Sequence, residues 1–171
     1  MSPKHIFGFV AFTAAVNACS SLDCSINSQV NCAYGIQDPN GKDSTLASGD
    51  TLTISTKKYA NATDETATLD TILNKLTSTN NFTLQMGEAS ETDVLYLTLT
   101  RNTVTTFYDT VYITKTNEPT FESVDCTPRF NHTITAIKST HHFIDSIHIN
   151  KAQVTNDAST KNLYLRLRTD N

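Results

Sequence analysis

The sequence predicts an all-β fold: an antiparallel β-sandwich of the immunoglobulin-like or Greek-key type, with about eight strands after an N-terminal signal helix. Three observations carry that expectation. Apolar residues recur with a period of two in one short run after another, the alternation of half-buried strands. Thr and Ser are abundant, Trp is absent and hydrophobic residues make up 38%, a composition that suits pleated surfaces better than helices. At 171 residues the chain can bury one two-layer core, and no repeat or Pro- or Gly-rich linker divides it. The expected organisation is a signal peptide over 1–18, a tether over 19–27 and a single sandwich domain over 28–171.

The first eighteen residues differ in kind from the rest. Lys4 precedes an apolar run from Ile6 to Val16 that is too short to remain as a membrane-spanning helix. Small residues follow, as in a secretory signal. Val16-Asn17-Ala18-Cys19 has the form of a relaxed bacterial lipobox, which makes Cys19 the candidate lipidated first residue; plain cleavage after Ala18 is the alternative. The expected location is the cell envelope, with the chain anchored to the outer membrane by lipid and facing the periplasm or the cell surface. Acyl chains hold because each buried methylene contributes about 0.8 kcal/mol. A net charge of −4 gives no basic field for nucleic acid, so the membrane is the expected partner, alongside a protein or glycan of unknown identity.

Three cysteines remain beyond Cys19. Cys32 alternates with Val30, Tyr34 and Ile36 and reads as a small buried hydrophobe. Cys24 and Cys126, each preceded by Asp, form the expected disulfide pair. Such a bridge closes a loop of about 100 residues, worth up to about 4.7 kcal/mol on a chain-entropy model.

In order, alternation predicts strands over Gln29–Ile36, Asp50–Thr56, Phe82–Met86, Asp93–Arg101, Thr103–Lys115, Phe130–Lys138, Ile144–Asn150 and the Leu163–Leu167 run. Asp38-Pro39-Asn40-Gly41 is a turn, and Asn102 closes a hairpin. In Thr68–Leu76, Leu69, Ile72, Leu73 and Leu76 also fit helical spacing; its β neighbours favour a strand. Pro119 is expected to end a strand, and the segment through Pro128 to cross over, towards the other sheet. That long crossover disfavours a closed barrel.

Asp23-Cys24, Tyr34-Gly35 and Asp50–Ile54, then above all Thr116–Cys126, followed by His132–Thr135 and Ile144–Ile147, together resemble a family of small lipoproteins from Bacteroidetes-type bacteria, a domain-of-unknown-function family. The resemblance spans nearly all of the chain after the export segment. It implies an envelope lipoprotein with a sandwich fold, and it brings no activity and no functional residues.

Catalytic signals are weak. There is no G-x-S-x-G elbow, and Cys32 lacks a patterned His partner. His132 shares a strand face with Ile134 and reads as a hydrogen-bonded core imidazole. His141 and His142 fall in a turn, without spacing that joins two metal ligands. Asp38–Asp43 lacks the acidic twelfth position of a calcium loop, which here is Gly49. No catalytic residue, metal or cofactor is therefore expected. Asp followed by Ser or Thr recurs at Ser44, Thr51, Thr71, Thr110 and Ser146, the acceptor pattern of Bacteroidetes O-glycosylation and equally how many strands begin. Tyr164, Arg166 and Arg168 form an outward aromatic-basic stripe. The expected function is a non-catalytic binding or structural module of the envelope; the alternatives are a hydrolytic, carbohydrate-processing accessory protein and a surface- or pilus-assembly subunit with an open edge strand.

Overall fold

The computed structural model describes residues 30–168 apart from 60–65, 122, 124, 127, 156 and 158. The described residues are all-β and contain no helix. The strands are β1 (Asn31–Gln37), β2 (Thr51–Tyr59), β3 (Ala67–Leu76), β4 (Asn81–Gln85), β5 (Thr92–Arg101), β6 (Thr105–Thr120), β7 (Arg129–Ser139), β8 (Ile144–Ile149), β9 (Gln153–Val154) and β10 (Leu163–Leu167). They form a four-stranded sheet in the order β4-β1-β10-β8 and a six-stranded sheet in the order β3-β2-β5-β6-β7-β9. The two sheets share one core: Cys32, Tyr34, Ile36, Leu163 and Leu165 come from the first, Leu52, Ile54, Leu97, Leu99 and Ile113 from the second. The expected signal peptide, tether and signal helix lie outside the described residues.

Alternation explains most elements. On β2, β5 and β6 every second residue is buried (Leu52 and Ile54; Leu95, Leu97 and Leu99; Asp109, Val111, Ile113 and Lys115). Asn102 and Thr103 take positive φ (46° and 61°), and the Val104 N–H donates to the Arg101 carbonyl. This is the mirror-image turn that matches strand twist, at the predicted place. The 38–43 turn also forms: Asp38 Oδ1 accepts from the N–H groups of Asn40 and Lys42, and Gly41 has φ 81°.

The helical spacing in 68–76 has a structural cause. The β2–β3 ladder shifts register between Leu52 and Ile54 and again before Ser55, so Leu52 faces Leu76 while Ile54 faces Leu73. Each bulge adds a residue to one side of the ladder, which brings leucines three apart onto one face.

Three expectations need correction. The sandwich is not wholly antiparallel: β1 and β10 run parallel, with Tyr34 opposite Leu163 and Gln37 opposite Arg166. Pro119 does not end β6. Beyond Thr114 the strand is paired only to β7, up to Thr120 opposite Arg129, and a proline is tolerated where one side of a strand is open. Nor does the segment before Pro128 change sheets, because β6 and β7 are antiparallel neighbours. The chain instead changes sheets between β7 and β8. The short β9 was not foreseen; its Val154 is fully buried opposite His132.

β1 is buried on both faces from Cys32 to Ile36. Its second face is covered partly by Tyr164, whose ring would lie 2.5 Å from a Cβ added at Gly35. Gly35→Ala should therefore destabilise the fold by about 1–3 kcal/mol through overpacking. Adding Tyr164→Ala should recover part of that loss in a denaturant-unfolding cycle; a purely additive double variant would refute the contact.

Candidate functional site

The most chemically dense region lies at the end of the sandwich where β1, β5 and β6 meet the 86–91 loop. β6 carries Lys115 in register with Val111 and Ile113, so its side chain turns inward and is fully buried. A buried ammonium requires a paired, hydrogen-bonded environment. Lys115 Nζ lies 3.1 Å from Asp93 Oδ1 and donates to the Ser90 carbonyl. The second Asp93 oxygen accepts from the Gly87 N–H at 3.1 Å. Asn117, two residues further along β6, donates from Nδ2 to the carbonyls of Glu88 and Ser90. Its Oδ1 is then left to accept from His132 Nδ1, 2.8 Å away.

That geometry fixes the imidazole with its proton on Nδ1. Burial, then the charge of Lys115, lowers the His132 pKa, with Asp93 partly opposing. Beside this network a cavity of about 210 Å³ is bounded by Tyr34, Met86, Gly87, Asp93 and Ile113 among others. Cys32 is a free, buried thiol. Burial pushes it up to about 12, with a Tyr34 hydrogen bond opposing the rise and Asp93 adding to it. Burial likewise holds the Tyr34 phenol well above its ordinary value, and its ring stacks on Phe82 at 4.8 Å. A protonated thiol is a poor nucleophile, and the Lys115–Asp93 pair has its polar atoms engaged by the 86–91 loop. The arrangement shapes a loop and a small cavity.

At the opposite end a cleft of about 300 Å³ is lined by Gln37, Asp50, Leu99, Arg101 and Arg168 among others. Arg101 donates to the Arg168 carbonyl at 2.8 Å, sits 3.8 Å from Asp50 and covers the Phe107 ring at 5.3 Å. Asp50 in turn accepts from the Asn102 N–H. These charges serve to close the β5–β6 turn.

The third group is Asp109, buried on the inward face of β6. One oxygen accepts from the His142 N–H at 2.9 Å and from the Thr140 hydroxyl; the other accepts from the N–H groups of Phe143 and Ile144, both at 2.8 Å. Burial alone would raise its pKa, but those donors outweigh it and lower it. His132 is thus a hydrogen-bonded core imidazole, as expected. His142 approaches Asp109 through Nδ1 at 3.2 Å, and His148 pairs with Ser146. Among the described residues no group of three or more His, Cys, Asp or Glu side chains is placed to hold a metal.

The candidate modification sites are scattered. Thr71 is exposed, whereas Ser44, Thr51, Thr110 and Ser146 are half-buried. The acidic residues before Thr51 and Thr110 are Asp50, just ahead of β2, and Asp109, inside β6, and both are in structural use. Cys19 and Cys24 lie outside the described residues. Of the two described cysteines, Cys32 is free and Cys126 is not. Tyr164 lies over Gly35 and Arg166 over Gly41, with Arg166 Nε 3.4 Å from Gln37, so these two members of the outward stripe are half-buried, while Arg168 is exposed. Sequence reasoning missed Lys115, Asp93 and Asp109. The signal was strand parity, since Asp109 and Lys115 share the parity of Val111 and Ile113.

Asp109→Asn should cost about 3 kcal/mol by placing an amide against backbone donors, read as a fall in Tm of roughly 6–12 °C. Because His132 is lowered in the folded state, the unfolded chain takes its proton first. Stability from this group is complete above the unfolded value of 6.5 and falls as pH drops below it. Thermal melts between pH 7.5 and 5 should show this slope, and His132→Gln should flatten it. Native Cys32 should resist a thiol reagent until denaturant is added; rapid labelling of the folded protein would contradict its burial.

No curated protein and no solved structure matches the chain. Residues 51–167 match the Family of unknown function (DUF6452), a span from β2 to the end of β10. The chain belongs to that family.

Proposed function

We propose that the protein is a non-catalytic binding module of the bacterial cell envelope, tethered to a membrane through lipid on Cys19 and braced by a Cys24–Cys126 bridge. One observation carries the non-catalytic reading: the buried ionisable groups described above are engaged within the fold. Lys115 holds Asp93 and the 86–91 loop, Asp109 holds the 140–144 segment, and His132 holds Asn117. Catalysis needs an acid, base or nucleophile free to meet substrate, and these groups are turned towards partners within the fold instead. The envelope reading is supported by the export pattern of 1–18 and the Ala18-Cys19 step. In this reading lipid on Cys19 supplies the anchor; among the described residues no helix is long and apolar enough to cross a membrane. The alternative of assembly through an open edge is less favoured. The ten-residue β3 is such an edge, but its ladder is bulged twice, which discourages regular strand addition.

Intact mass of the membrane-extracted protein tests this directly. Loss of 1–18 with a mass increase from acyl chains is expected, and Cys19→Ala should release the protein from the membrane fraction. A soluble wild-type species of unmodified mass would overturn the anchoring. Turnover of a polysaccharide by the purified protein would overturn the non-catalytic reading.

A further inference from the structure

We propose that the outer face of the six-stranded sheet is a platform for an acidic polysaccharide, a ligand class that deepens, and rests on, the binding-module reading. Residues directly opposite in a ladder share a face. Tyr96 is opposite Thr110, which lies between Tyr108 and Tyr112 on β6. All three rings therefore belong to one face. At about 3.4 Å per residue, Tyr108 and Tyr112 are about 14 Å apart along β6, with Tyr96 midway and one strand over, about 4.8 Å to the side. Tyr108 is 67% and Tyr112 42% exposed, so their rings offer apolar faces to solvent. Exposed aromatic rings set along a strand face can meet the C–H faces of sugar rings, while the phenol hydroxyls stay free to hydrogen-bond.

The ground around the rings is hydroxyl-bearing. Ser55 and Thr71 pair across β2 and β3 at 3.3 Å, and Thr100 and Thr106 across β5 and β6 at 3.4 Å. Charge supplies the choice of ligand. The chain is net −4, yet among the described residues no Asp or Glu belongs to this face from the Thr51–Thr100–Thr106 row to the row of Val94, Tyr112 and Lys138. Two ammonium groups flank the rings: Lys138 opposite Tyr112, and Lys57, whose Nζ lies 5.9 Å from the centre of the Tyr96 ring. A face cleared of acid in an acidic protein, with cations at both sides of an aromatic row, complements a carboxylate-bearing chain. A neutral glycan would leave the lysines without a role, and a second copy of the face would set lysine against lysine.

Affinity electrophoresis of the full-length protein through gels containing polygalacturonate, or neutral amylose, tests the proposal. Retardation by polygalacturonate alone, weakened about tenfold by Tyr108→Ala or Tyr112→Ala, is expected. Lys57→Gln with Lys138→Gln should reduce both affinity and its dependence on salt. Thermal melts would show that each variant is folded, which is expected because the changed side chains lie outside the core. Absence of retardation, equal retardation by amylose, tyrosine variants that bind like wild type, or sedimentation as a dimer would each overturn the platform. None of these outcomes alters the acyl mass or membrane release on which anchoring depends. Shortening of the polygalacturonate would leave the platform standing and defeat the non-catalytic reading instead.

Discussion

The fold turns on one carboxylate. The chain leaves the six-stranded sheet after β7 and joins the four-stranded sheet at β8, and the 140–144 segment that makes the passage folds around Asp109. Three backbone N–H groups and the Thr140 hydroxyl reach it, and Thr140 also exchanges hydrogen bonds with the Thr110 backbone. Charge-assisted hydrogen bonds are about twice as strong as neutral ones, and here they act at the place where strand pairing is interrupted. The start of β8 sets β10, with Leu167 opposite Ile144, and β10 sets β1. The register of one layer is therefore referred back to a side chain in the other.

A second polar joint occupies the far end, where Lys115 and Asp93 hold the 86–91 loop against β6. A buried ion pair is weak evidence for net stability, but it is strongly directional. Asn162 does similar work with neutral groups: its Oδ1 accepts from the Ala33 N–H, and its Nδ2 donates to the carbonyls of Lys151 and Gln153. Interior chemistry in this protein fixes loops and registers. The outer face of the six-stranded sheet is different in kind, with Tyr and Thr prominent along β5 and β6.

Alternation made most of the strands legible, because a face buried against a second sheet must repeat every two residues. It failed where that premise failed. β1 is covered on both faces, so Ala33 is as buried as Cys32 although the pattern placed it outward. β3 is bulged, so its leucines mimicked a helix. The Pro119 rule did not apply because β5 had already ended. Pairing between β1 and β10 was invisible, since parallel neighbours distant in sequence leave no turn to read. The interior charges were concealed by residue type: Asp109 was read as part of a surface pattern and Lys115 as the end of a strand, although their parity placed them inside.

The parallel β1–β10 pair has a kinetic consequence. β2 with β3, β5 with β6 and β6 with β7 are pairs of successive strands and can associate early, whereas β1 pairs with β10, Tyr34 opposite Leu163, across almost the whole domain. Loop closure over such distances slows folding. The four-stranded sheet can therefore close only once β10 is in place, because β10 joins β1 to β8.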